Sequence, residues 1–127
     1  GFDFTGAWQM SEHSIHAAIA RYLDSTLPPS IRMVSVPNNP RSKMAGAMEK
    51  ARGSKKGFPD FVLINGAQQG AIAGFEVKRE GQYLEPAQKE WREWFVKHRI
   101  PHFVVRSIDD VRESLAELHI VTRETSP

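Results

Sequence analysis

Residues 59–78 read PDFVLINGAQQGAIAGFEVK, and the way this stretch folds decides how the rest of the chain is arranged. FVLIN is a short apolar run closed by Asn65-Gly66, and AIAGFEVK is a second one. The GAQQG between them suits a hairpin turn, so the two runs read as paired strands. Side chains alternate along a strand, which sends Glu76 and Lys78 to one face and Phe75 and Val77 to the other. Pairing the strands brings Asp60, at the start of the first, near the end of the second. Two carboxylates and an amine then meet at one sheet edge.

Carboxylates held close repel one another, so an opposing charge is required. A hard divalent cation such as Mg²⁺, or Mn²⁺ in its place, meets this need with oxygen ligands and several retained waters. Asp60 and Glu76 are the candidate ligands, and the Val77 backbone carbonyl is free to join them. Such an ion suits phosphodiester hydrolysis, because it lowers the pKa of a bound water and neutralises charge developing on phosphate. A neighbouring lysine, Lys78, orients that water or stabilises the transition state. A plainer reading stays open: Asp60 as a turn residue after Pro59, and Glu76 with Lys78 as a surface ion pair.

Outward from the hairpin, the elements are those of a small α/β domain. SEHSIHAAIARYLDST places Ile15, Ala18, Ile19, Tyr22 and Leu23 on one helical face, with Ser11 as N-cap and Pro28-Pro29 as a stop. IRMVSVP alternates like a strand and ends at PNNP, where Asn38 and Asn39 read as turn residues. LEPAQKEWREWFVKHR is a second helix with Pro86 in its first turn and Trp91, Trp94 and Phe95 on its core side. HFVVRS is a last strand, followed by the helix SIDDVRESLAEL. The expected order is α-β-β-β-α-β-α around a mixed sheet. KMAGAMEKAR is helix-compatible but flanked by basic segments, and it is left out of that order.

The composition bounds the class. The chain has 127 residues, enough for one domain with its own core, and no cysteine, which removes disulfide scaffolds, zinc ribbons and thiol nucleophiles. Five histidines lack the spacing of a zinc motif. No apolar run approaches a membrane span and no signal-peptide pattern opens the chain, so a soluble, cytoplasmic protein is expected, without membrane or small-molecule cofactor. Gly1 is not a native start; residues 1–10 read as an N-terminal arm and 119–127 as a C-terminal tail of a single domain spanning 1–127. The net charge is only +2, yet Arg41, Lys43, Lys50, Arg52, Lys55 and Lys56 crowd one stretch against the single acid Glu49. Such a run is either a phosphate-binding surface or a solvated loop.

GFPDFVLI…GFEVKREGQYLEPAQKEW resembles the virus-type replication-repair nuclease (VRR-NUC) group of the PD-(D/E)xK nuclease superfamily. The likeness rests on Pro59-Asp60, on Glu76-Val77-Lys78, and on Leu84, Pro86, Gln88 and Trp91 at the start of the second helix. It extends to Glu12 in the first helix and to the closing strand and helix, covering about residues 11–118. The resemblance implies a restriction-endonuclease-like fold and a metal-dependent DNA endonuclease. Asp60 and Glu76 would be metal ligands, Lys78 the catalytic lysine, and Glu12 a further acid acting directly or through water. Gln88 would sit beside the site, against the metal-bound water or the DNA. Small members of the group are associated with homodimers that cut four-way (Holliday) junctions, which points to branched DNA, repair and recombination in a bacterial or phage-infected cell. The alternatives are a flap or nicking nuclease, and a non-catalytic nucleic-acid-binding module on the same fold. Glu12 also has a simpler reading as an acid favoured by a helix dipole. For a homodimer, Phe2, Phe4 and Trp8 are the expected interface, since they belong to no periodic stripe.

Overall fold

The computed structural model describes residues 11–37 and 42–124; Phe2, Phe4, Trp8, Asn38, Asn39 and Arg41 lie outside them. Helix α1 (Glu12–Thr26) starts where Ser11 caps it, its side chain accepting from the Ser14 amide at 3.1 Å. Strand β1 (Ile31–Ser35) is followed by helix α2 (Lys43–Ala51), strand β2 (Phe61–Asn65) and strand β3 (Ala71–Val77). Helix α3 (Pro86–Lys97), strand β4 (His102–Val105) and helix α4 (Ile108–Glu117) complete the order. The expected order therefore holds with one helix added. Ser42 caps α2 by accepting from the Ala45 amide, and no residue of α2 is buried.

The strands form one mixed sheet in the order β1-β2-β3-β4. β2 and β3 pair antiparallel as the hairpin predicts, with Phe61 opposite Phe75, and β4 joins β3 in parallel. The turn between β2 and β3 is a short 3-10 segment, Gly66–Gln68, closed by Gln69 in the left-handed region. Ile15, Ile19 and Leu23 of α1 and Val111 and Leu115 of α4 pack against Phe61, Leu63, Phe75, Val77 and Val105 on one sheet face. The other face carries α3, whose Phe95 is buried. Gly74 makes that possible: a Cβ there would lie 2.8 Å from the Phe95 ring.

Trp94 departs from the expected core, being 47% exposed, while Trp91 is half-buried. One helix turn places successive residues about 100° apart, so only the middle of the stripe, Phe95, faces the sheet squarely. The C-terminal segment is also tied down as far as Glu124. Arg123 donates from its amide and Nε to the carbonyls of Thr26 and Leu27, and Glu124 pairs with Arg112. Among the described residues no helix is long and apolar enough to cross a membrane.

Gly57 locks the loop before β2 onto α3. Its φ is +83°, and an added Cβ would fall 2.4 Å from the Ala87 carbonyl carbon and 2.7 Å from the Gln88 amide nitrogen. Gly81 shares that φ of +83° but has open space around it. Gly57→Ala is therefore expected to cost about 2–4 kcal/mol, combining strain with overpacking, and Gly81→Ala only the smaller conformational part. Thermal denaturation of the two variants checks this; equal losses would mean the close approach carries no weight.

Candidate active site

The hairpin register sets Asp60 immediately before β2, across from the end of β3. One Asp60 oxygen, Oδ2, accepts from the buried Val77 amide at 2.7 Å, continuing the strand ladder with a side chain. Glu76, 2% exposed, and Lys78, 5% exposed, follow on the face opposite Phe75 and Val77. Lys78 is fixed through its backbone, its amide donating to the Val105 carbonyl at 3.0 Å. Helix α3 enters from the side. Gln88 uses its Oε1 to accept from the Glu85 amide at 2.8 Å, closing a capping box, and its Nε2 approaches Glu76 Oε2 at 3.4 Å.

These groups line a cavity of about 720 Å³ that also takes in Glu12 from the start of α1. Of the candidates read from the sequence, Glu12, Asp60, Glu76, Lys78 and Gln88 share this one space. Of the basic stretch, Lys50, Lys55 and Lys56 line the cavity, whereas Lys43 and Arg52 are exposed outside its lining. Trp91 and Phe58 were not foreseen here. Their rings meet edge to face at 5.0 Å, and Trp91 Nε1 donates to the Lys56 carbonyl at 3.1 Å. The signal was present in the spacing, since Trp91 lies three residues after Gln88 on one helix face. His16, by contrast, stacks on Phe61 at 4.3 Å and does not line the cavity.

A family model described as the VRR-NUC domain matches residues 10–109. The chain belongs to the VRR-NUC family. A solved VRR_NUC domain protein shares the fold at a TM-score of 0.63 and 21% identity, over 85% of this chain and 87% of that one. No curated protein matches. Membership in VRR-NUC gives the chain a nuclease-type function, and the mixed sheet with flanking helices is the fold expected of it.

The electrostatics of this VRR-NUC cavity centre on Glu76. Burial, then the adjacent Asp60, pushes its carboxyl up from 4.5 to about 10; Lys78 opposes the shift and Glu12 adds slightly to it. Glu76 Oε1 is buried with no hydrogen-bond partner. A buried, orphaned carboxylate oxygen beside a second carboxylate is a donor set suited to a hard cation. Among the described residues no three His, Cys, Asp or Glu side chains cluster closely enough to hold a metal ion. The buried carboxylates on hand are Asp60 and Glu76, and Glu12 adds a third acid to the cavity lining.

Proposed function

We propose that the chain is a Mg²⁺- or Mn²⁺-dependent, structure-selective DNA endonuclease that resolves four-way junctions as a homodimer. The observation that carries this reading is the burial of Asp60, Glu76 and Lys78 together in a cavity edged by Lys50, Lys55 and Lys56. A non-catalytic binding module gains nothing from setting two carboxylates against a polyanion.

Asp60, Glu76 and the Val77 carbonyl would hold the cation, which when bound supplies an acidified water and a counter-charge for the phosphate. Asp60 is oriented by the Val77 amide, and Glu76 is steered by Gln88, so neither carboxylate has to reorganise when substrate arrives. The Lys78 ammonium, nearly excluded from solvent, orients the attacking water or stabilises charge on the scissile phosphate. Lys50, Lys55 and Lys56 draw the DNA backbone to the cavity mouth, with Lys43 and Arg52 adding longer-range attraction. Incubation with a labelled junction in Mg²⁺ or EDTA tests the reading directly. Metal-dependent paired nicks are expected; binding without any nicks would leave only a binding module.

Charge reversal at Lys50, Arg52, Lys55 and Lys56 should weaken DNA binding for all sequences alike. It should also flatten the dependence of affinity on salt, by up to about 0.9 in log–log slope for each lost phosphate contact. An unchanged slope would return this stretch to a solvated loop.

The described residues form one such cavity, whereas a four-way junction needs two cuts, which a twofold pair supplies. Residues 1–10 remain our first choice of interface. Val34, Ile64 and Ile72, exposed on the sheet face that also bears α3, offer a second apolar surface. Light scattering coupled to size exclusion should give twice the chain mass; a species near 14.3 kDa with and without junction would reduce the activity to single nicks.

A further inference from the structure

Helix α3 has a second working flank. Gln88 and Trp91 face the cavity, while Lys89 and Arg92, each one residue further on, face a separate groove of about 520 Å³. That groove is walled by Tyr83 and Leu84 from the loop before α3 and by His102, Phe103, Val104 and Arg106 from β4 and the residue after it. Three cations converge there and no carboxylate lines it. Among the described residues none of the three forms a salt bridge; those present belong to Arg112.

Two of the cations have hydrogen-bond partners at the groove. Arg106 donates from Nη2 to the Gln82 carbonyl at 2.5 Å, and its amide donates to Asp110 Oδ2 at 2.8 Å. Arg92 Nη1 lies 3.5 Å from His102 Nδ1, and burial, then Arg92, brings the His102 imidazole down to about 4. Histidine is thus neutral and adds no charge of its own at pH 7. Like charges gathered with no carboxylate among them repel, so an anion placed between them is favoured. Beside them the Tyr83 ring is 83% exposed. Three cations next to an open aromatic ring match a nucleic-acid backbone better than a small anion, which one or two of them would satisfy.

We infer that this groove binds the phosphate backbone of the DNA as it leaves the cutting cavity. The inference rests on the nuclease reading above for the identity of its partner. The loop 79–85 links the two places: it starts at Lys78, lends Tyr83 and Leu84 to the groove, and lends Glu85 to the cavity. A helix is about 10–12 Å across, or roughly three base-pair steps of 3.4 Å. One continuous duplex therefore reaches both flanks of α3, contacting phosphates on each side of the bond to be cut.

The test compares two double variants with the same charge change. Lys89→Glu with Arg92→Glu alters the groove, and Lys97→Glu with Arg99→Glu alters the exposed far end of α3. Both pairs are solvent-facing, so folding is checked by thermal denaturation and is expected to be retained. Binding of a fluorescent duplex and of a four-way junction is measured by anisotropy in EDTA across a salt series. The groove variant should bind about tenfold or more weakly, with a log–log salt slope shallower by about 2, and the far-end variant should stay close to the parent. Equal losses in the two variants, or no loss in either, would overturn the groove even if the parent cuts DNA. A parent that cuts nothing, with the groove variant still selectively weakened, would uphold the groove and remove the nuclease reading instead.

Discussion

Replacing Lys78 with alanine is expected to slow junction cleavage roughly a thousandfold, the scale seen when one transition-state stabiliser is removed from a water-poor site. DNA affinity should stay within about twofold of the parent, because phosphate contacts elsewhere dominate binding. The argument is positional. Lys78 directly follows β3 on the face it shares with Glu76, is 5% exposed, and its ammonium is a counter-charge to Glu76. Removing it takes away the charge facing the phosphate and leaves the two carboxylates less shielded from each other. Single-turnover cleavage at saturating enzyme separates this from any loss of binding. A Lys78→Ala protein that cuts at the parent rate would show that the chemistry lies elsewhere.

The second large effect concerns protons. In the metal-free protein Glu76 carries a pKa near 10 against 4.5 when unfolded. The folded state then holds one more proton than the unfolded state between those values. Stability contributed by the neutral carboxyl is complete below about pH 4.5 and is lost as pH rises toward 10. The limiting slope for one proton is about 1.4 kcal/mol per pH unit. In EDTA the melting temperature should therefore fall steadily from pH 5 to pH 9. Glu76→Gln, which cannot ionise, should flatten that fall. Mg²⁺ binding near pH 7 should release close to one proton, read by calorimetry in buffers of different ionisation enthalpy. Parallel melting curves for parent and Glu76→Gln, with no proton release, would mean that the carboxyl is already ionised.

Much of this site was legible because its parts sit on regular elements. Alternation placed Glu76 and Lys78 on one face, hairpin pairing brought Asp60 to them, and Pro86 with Gln88 marked the start of α3. These are local rules, and local rules survive folding when nothing tertiary competes. Helix α2 was harder to place because basic segments flank it, and in the fold it buries no residue. Trp94 was misplaced because a stripe of apolar residues is wider than the face a flat sheet can cover. The groove beyond α3 was not legible at all. Lys89, Arg92 and Arg106 are scattered among ordinary surface charges in the sequence and converge only when β4 pairs in parallel with β3.

Gln88 closes the first turn of α3 with one end of its amide and reaches Glu76 with the other. Helix initiation and the placing of the Glu76 carboxyl are thus linked through one side chain. First turns open locally at a free-energy cost below that of global unfolding. Each such opening releases Glu76 while the sheet beneath stays intact. On the proposed mechanism, cleavage would follow the fraying equilibrium of one helical turn, and the chain could fall silent, and recover, without losing its fold.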